Sequence, residues 1–131
     1  MRSGKTQKIP FMTIFEPGQV VLIPFPFTDL TTIKQRPALV ISGTSFNQKH
    51  QDVIVLALTS QSPSDLKPDE IALTEADQKS AFLPKPSKVK TSKIVSIDKR
   101  LVRKLLGSIS RASLDSAIVR VHTNLHQPLI K

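Results

Sequence analysis

The sequence predicts a mainly β domain: a small, strongly curved sheet or barrel with one C-terminal helix packed on it. Three observations carry that prediction. Short apolar runs rich in β-branched residues recur along the chain, turn-forming Pro, Gly, Asn and Asp separate them, and beyond Ser110 the apolar spacing changes from strand-like to helical. A length of 131 residues with 39% hydrophobic content suits one compact domain with a single modest core.

The lead-in, residues 1–16, carries Arg2, Lys5 and Lys8 among scattered apolar residues and is expected to be an irregular extension, with the barrel domain occupying 17–131. Pro17-Gly18 signals a turn, and Val20 to Phe25 then reads as a strand buried on both sides. Pro24 and Pro26 cannot donate to a ladder, so that strand should end there or lie at an edge. A polar loop leads to a second strand from Pro37 to Ser42, and a polar connection with Asn47, Lys49, His50 and Gln51 leads to a third, Asp52 to Thr59. Residues 61–80 read as loop-rich, with a short strand at Glu70 to Leu73. Ser87 to Ile97 reads as a long, partly exposed strand, with Val89, Thr91, Lys93, Val95 and Ile97 on one face. Val102 to Ile109 is a further short strand. Leu114, Ile118, Val121 and Leu125 recur at helical spacing, with Ser110 or Ser113 as the cap and Pro128 as the stop.

Nineteen Lys and Arg against ten Asp and Glu give a formal charge of +9, which points to a phosphate-rich or acidic partner. The excess lies in the second half. Lys85, Lys88, Lys90, Lys93, Lys99, Arg100, Arg103, Lys104, Arg111, Arg120 and Lys131 face only Asp98 and Asp115 there. No cysteine is present, which excludes disulfides and thiolate metal sites. No apolar run reaches the ~18 residues of a membrane span, and the N-terminus has no signal-peptide core, so a soluble cytoplasmic protein with no membrane partner is expected. His50, His122 and His126 show no ligand arrangement with carboxylates; neither metal nor other cofactor is expected.

Four short motifs occur in a fixed order: Arg36-Pro37, TSQ at Thr59 to Gln61, KPS at Lys85 to Ser87, and IDK at Ile97 to Lys99. Each alone is weak. Together, with the strands around them, they resemble the MazF/PemK family of toxin endoribonucleases over nearly all of the chain after the lead-in. The resemblance implies an SH3-like barrel, usually a homodimer, and a cognate antitoxin whose acidic segment covers the RNA groove. It also implies metal-independent cleavage of single-stranded RNA, with catalytic weight on Arg36 and Thr59. The alternative is a non-catalytic barrel toxin that acts by binding a protein, as the related gyrase-poison toxins do.

The residue types suit the chemistry. The guanidinium of Arg36 is always charged and presents a planar fork matched to phosphate oxygens; a fixed donor of this kind stabilises a transition state by about 3 kcal/mol. Pro37 restricts the arginine's backbone to extended conformations and so fixes where its side chain starts. Thr59 can donate to a phosphate oxygen but is too weakly acidic to serve as a general acid. Phe27, Lys34, Ser60, Gln61, Lys85, Lys90 and Ser92 are the candidate RNA contacts. With no Tyr or Trp, any base stacking falls to Phe25, Phe27, Phe46 or Phe82, of which Phe25 is expected in the core. The chain departs from the family at Ser92, where members commonly carry an acid. Asp29 and His50 are then candidates for the base by residue type alone.

Overall fold

In the computed structural model, which describes residues 13–25, 34–60 and 65–126, the apolar run at Val20 forms strand β1 (Gln19–Phe25). The turn before it depends on Gly18, whose φ of +96° is open to glycine and strained for other residues. Gly18 N–H donates to the Val40 carbonyl at 2.8 Å, and its own carbonyl accepts from Ile109 N–H at 2.9 Å. The start of the domain is thereby tied to two other segments of the sheet.

Strands β2 (Lys34–Val40), β3 (Asp52–Thr59), β4 (Glu70–Ala72), β5 (Lys88–Asp98) and β6 (Lys104–Ser108) join β1 in one sheet, in the order β4-β5-β3-β2-β1-β6. All of its pairings are antiparallel. The fold is therefore mainly β with a C-terminal helix, as expected, but the ladder is open between β4 and β6. Helix α2 (Glu75–Ser80) reaches across that seam, where Ser80 Oγ donates to the Ser108 carbonyl at 2.6 Å.

The two prolines that punctuate the first strands are placed where a missing N–H does little harm. β6 pairs with β1 only from Gln19 to Leu22, so Pro24 lies on the part of β1 that, among the described residues, has no strand paired on that side. Pairing of β2 with β3 begins at Ala38, one residue after Pro37. β2 itself starts earlier than the apolar pattern indicated, at Lys34, because its polar first half is paired to β1 alone.

The sheet buries apolar residues on both faces. Val21, Ile23, Ala38, Val40, Val53, Val55 and Ala57 pack with Phe15, Ile97 and Val102 on one face. On the other, Val20, Leu39, Leu56, Leu58 and Val89 pack against α2 and the long helix α3 (Arg111–Asn124) through Ala81, Leu114, Ala117 and Val121. Ser110 caps α3 by accepting from Ser113 N–H at 3.2 Å. Leu125, expected on the buried face, is exposed just past the helix end.

Two expectations are corrected. The connection before β3 contains the short helix α1 (Thr44–Lys49), and the stretch read as loop contains α2. Asn47 nucleates the first region: its side-chain amide donates to the Phe15 and Ser42 carbonyls at 2.8 and 3.0 Å and accepts from Ser42 Oγ at 2.6 Å. In the second, Thr74 caps α2 by accepting from Asp77 N–H at 3.0 Å. Asp77 in turn accepts from Ser110 N–H at 2.8 Å and from the Ser113 hydroxyl, joining the start of α3 to α2.

The single-face reading of β5 is also corrected. One step on β3, from Leu56 to Ala57, spans Ile94 to Lys90 on β5, so residues 91–93 form a bulge. The bulge inverts the alternation. Val89 packs with the helices, whereas Val95 and Ile97 pack on the opposite face.

Gly107 offers a test of the seam. A Cβ built there would lie 2.1 Å from the Ser80 carbonyl oxygen and 2.8 Å from Ala81 Cα, both backbone atoms. Gly107→Ala is expected to destabilise the domain by about 2 kcal/mol, read as a lower urea midpoint at unchanged m. An unchanged midpoint would mean that α2 can lift from β6 freely.

Candidate functional site

Arg36 and Thr59 stand on adjacent strands. The β2–β3 ladder runs from Ala38 opposite Ala57 to Val40 opposite Val55, and Arg36 and Thr59 lie just beyond its end, two residues from Ala38 and Ala57 on their own strands. Residues two apart on a strand share a face, so Arg36 follows Ala38 and Thr59 follows Ala57 on one face of the sheet. That face is the one filled by Ala38, Val40 and Ala57, so the pair continues a core row outward to its rim. Both side chains are half-buried. On the β1 side the residue paired with Arg36 is Ile23, fully buried.

The row extends into β5, where Lys88 is opposite Thr59 and Lys90 is opposite Ala57. Lys90 is in turn opposite Glu70 of β4. The Glu70 carboxylate, wholly buried, takes one ammonium on each oxygen: Lys88 Nζ on Oε1 and Lys90 Nζ on Oε2, each at 2.7 Å. Lys67 N–H also donates to Oε1 at 2.9 Å, and Lys88 Nζ donates to the Asp65 carbonyl at 3.2 Å. The hydrogen bonds from Lys88, then Lys90, then the Lys67 N–H outweigh burial and hold the Glu70 carboxyl down at about 2, from an ordinary 4.5. The Lys88 side chain is 1% exposed and that of Lys90 24%, so of the two lysines only Lys90 has a side chain that reaches solvent.

The turn that delivers Glu70 is fastened from two sides. Thr91, in the β5 bulge, donates from both its N–H and its hydroxyl to the Asp69 carbonyl, at 3.0 and 2.6 Å. Asn124 of α3 donates to that same hydroxyl at 2.8 Å, and Arg120 of α3 donates to the Pro68 carbonyl. Neighbouring Ser92 donates from Oγ to the Asp69 carboxylate at 2.5 Å.

The remaining candidates divide by position. Lys34, exposed, lies two residues before Arg36 and so on the same side of β2; Ser60, exposed, follows Thr59 at the strand end. Lys85 is exposed in the segment before β5. His50 lies at the opposite end of the sheet, beside Asp52, with its ring stacked on Phe46 at 4.0 Å, and so is not part of this row. Phe82 is exposed in the α2–β5 connection with a φ of 53°. Phe27, Asp29, Gln61 and Pro128, and the side chain of Phe25, lie outside the described residues.

Sequence reasoning missed Glu70 and Lys88. The signal was an acidic residue opening a predicted strand, because a carboxylate carried into a sheet needs a cation opposite it. At Ser92, where the resemblance leads one to expect an acid, the nearest carboxylate bonded to the side chain is that of Asp69 in the neighbouring turn.

Comparison with known proteins gives a match of residues 16–125 to the family model for "PemK-like, MazF-like toxin of type II toxin-antitoxin system". No curated protein sequence matches. Solved structures do. An endoribonuclease in complex with its cognate antitoxin, from a mycobacterial species, aligns with a TM-score of 0.68 at 21% identity over 86% of this chain and 98% of that one. MazF (Form-I) from Deinococcus radiodurans aligns with a TM-score of 0.67 at 21% identity over 85% and 96% of the two chains. A mycobacterial endoribonuclease gives 0.67 at 21% identity over 87% and 93%. At these identities the structural likeness is one of fold.

Proposed function

The chain belongs to the PemK-like, MazF-like toxins of type II toxin-antitoxin systems, and from that premise we propose that it is a metal-independent endoribonuclease that cuts single-stranded RNA at a short sequence. The observation that supports this reading is that Arg36 and Thr59 continue one face of the β2–β3 ladder just past its Ala38–Ala57 end, with a lysine–glutamate–lysine group beside Thr59 on the next strands.

In the proposed reaction the 2′-hydroxyl of the RNA gives up its proton as its oxygen forms a bond to the adjacent phosphorus, the bond to the 5′-oxygen breaks, and that oxygen takes up a proton, so that one proton is lost and one gained. The products are a 2′,3′-cyclic phosphate and a 5′-hydroxyl. Arg36 meets the charge that grows on the non-bridging oxygens, and Thr59 donates a hydrogen bond to one of them. The positive charge comes from side chains. Glu70 is a poor base, because a carboxyl held at about 2 has little tendency to accept a proton near neutral pH. Phe27, Lys34, Ser60, Gln61, Lys85, Lys90 and Ser92 are proposed to contact the flanking RNA.

The test is incubation of the purified protein with a long single-stranded RNA in excess chelator, followed by mapping of the cut ends. Discrete cuts bearing cyclic phosphate and 5′-hydroxyl support the reading. Intact RNA after prolonged incubation would sink it in favour of the protein-binding alternative.

We further propose a homodimer, because among the described residues β4 and β6 each pair with one strand only, which leaves sheet edges that a second chain can cover. Light scattering at micromolar concentration should return twice the chain mass; a monomer mass removes the basis for a groove shared by two chains.

The proposed antitoxin carries an acidic, initially disordered segment that lies over the basic second half of this chain. Its affinity should fall as salt rises. A complex indifferent to ionic strength would mean that apolar contacts, not charge, hold it. No helix among the described residues is long and apolar enough to cross a membrane, and the proposed location is the cytoplasm.

A further inference from the structure

The buried carboxylate beside the Arg36–Thr59 pair has no part in the proposed chemical step, yet it is the most heavily bonded side chain in that region. Its two cations differ in access. Lys88, fully buried, is bonded to Glu70 and to the Asp65 carbonyl and cannot reach solvent without leaving both. Lys90 keeps a partly exposed side chain while its ammonium is held by Glu70 Oε2.

A lysine side chain on its own samples many rotamers and loses that freedom when it binds a phosphate. One already held by a buried carboxylate has lost most of it beforehand. Glu70 is itself immobile, tied through Lys88, the Lys67 N–H and a turn fastened to the β5 bulge and α3. Two lysines and one glutamate leave the group a net charge of +1 directly across from Thr59, of the sign a phosphodiester requires.

We propose that Glu70 is a positioning residue that holds Lys90 as a preset arm for an RNA phosphate next to the one Arg36 and Thr59 engage, with Lys88 as the buried counter-charge that lets Glu70 do so. This inference rests on the RNA-cleaving reading above and adds to it a specific phosphate contact and the residue that orients it.

The group allows charge and position to be separated. Glu70→Gln with Lys88→Met removes one negative and one positive charge, so the net charge stays at +1, and it fills the buried space with neutral side chains of similar length. Lys90→Gln instead removes the arm, and Lys90→Arg keeps it. Binding is measured by fluorescence anisotropy on a single-stranded RNA oligonucleotide with 2′-O-methyl ribose throughout, which lacks the attacking hydroxyl. Affinity is followed across a salt series.

Lys90→Gln is expected to weaken binding roughly tenfold and to lower the slope of log affinity against log salt by about 0.7, the loss of one phosphate contact on a single strand. Lys90→Arg should retain the slope. The double variant should bind roughly threefold to fivefold more weakly with the slope unchanged, because the contact survives but the arm is no longer held. A Lys90→Gln protein with wild-type affinity and slope overturns the phosphate contact. A folded double variant that binds like the wild type overturns the positioning role, whereas a double variant that has lost the slope as well shows a role in charge and overturns it too. If the double variant does not fold, the Lys90 pair still decides whether the arm exists. Should the wild type cleave unmodified RNA while every variant binds normally, this inference fails alone; should the wild type neither bind nor cleave RNA, the reading beneath it fails as well.

Discussion

Replacing Arg36 with Lys is expected to slow RNA cleavage roughly 100-fold or more while RNA affinity changes little. The substitution keeps the positive charge, so long-range attraction to phosphate survives. It removes the planar fork, and a single ammonium on a flexible stem cannot meet two equatorial oxygens in fixed directions. Arg36 is held where that difference matters: it is half-buried, just past the end of the β2–β3 ladder on the face that Thr59 continues, opposite the buried Ile23 of β1, and Pro37 restricts its backbone. An interaction that strengthens only as charge develops lowers the rate without lowering ground-state binding when it is lost. Thr59→Val is the companion test, because it deletes one donor at nearly constant volume; single-turnover rates should fall while the unfolding midpoint stays close to wild type. An Arg36→Lys protein that cleaves at the wild-type rate with wild-type affinity would show that Arg36 is not the transition-state donor.

Much of this arrangement was legible from residues alone, for a physical reason. Strands buried on both faces produce continuous apolar runs, so the β3 run from Asp52 to Thr59 is found at the bounds expected of it. The short strand at Glu70 was visible for the same reason. Arg36 and Thr59 were picked out by the resemblance that the ordered motifs carry, but that they continue one face of neighbouring strands depends on the β2–β3 register, which no local pattern fixes. The bulge at 91–93 was hidden because the residues around it alternate without interruption, and only the register with β3 shows that these three have no residue opposite them on that strand. Helices α1 and α2 were hidden because each is six residues long, too short for an apolar period; α2 is defined by its Thr74 cap and its Asp77 link to α3. Glu70 stood in a recognised strand, but its worth depends on Lys88 and Lys90, which lie far along the chain. Charge pairing across a sheet is a property of register, not of composition.

Glu70→Gln, made alone, should be the most destabilising change in the site. The carboxylate is buried with Lys88 at 2.7 Å, and its loss leaves a buried ammonium without a counter-charge, a change that typically costs about 3 kcal/mol or more. The pH dependence has a definite sign. The Glu70 carboxyl is held at about 2 in the folded protein, below an ordinary 4.5, so the unfolded chain binds its proton first as acid is added. The stability contributed by this group is therefore complete above about pH 4.5 and disappears as the pH falls toward about 2. Asp98 is also held low, by Arg100, and Asp77 is held below its ordinary value against the opposing effect of its burial, by Ser113 and Ser110, so the wild type will lose stability in acid for more than one reason. The difference between wild type and Glu70→Gln isolates the one carboxylate. Urea titrations at pH 7 and pH 3 should show a large gap at neutral pH that narrows in acid, because the wild type loses what the variant never had. Adding Lys88→Met should recover most of the neutral-pH loss, since it removes the stranded charge. Parallel curves for wild type and Glu70→Gln at both pH values would show that Glu70 carries no depressed titration, and the account of the triad as a tightly paired buried group would fall.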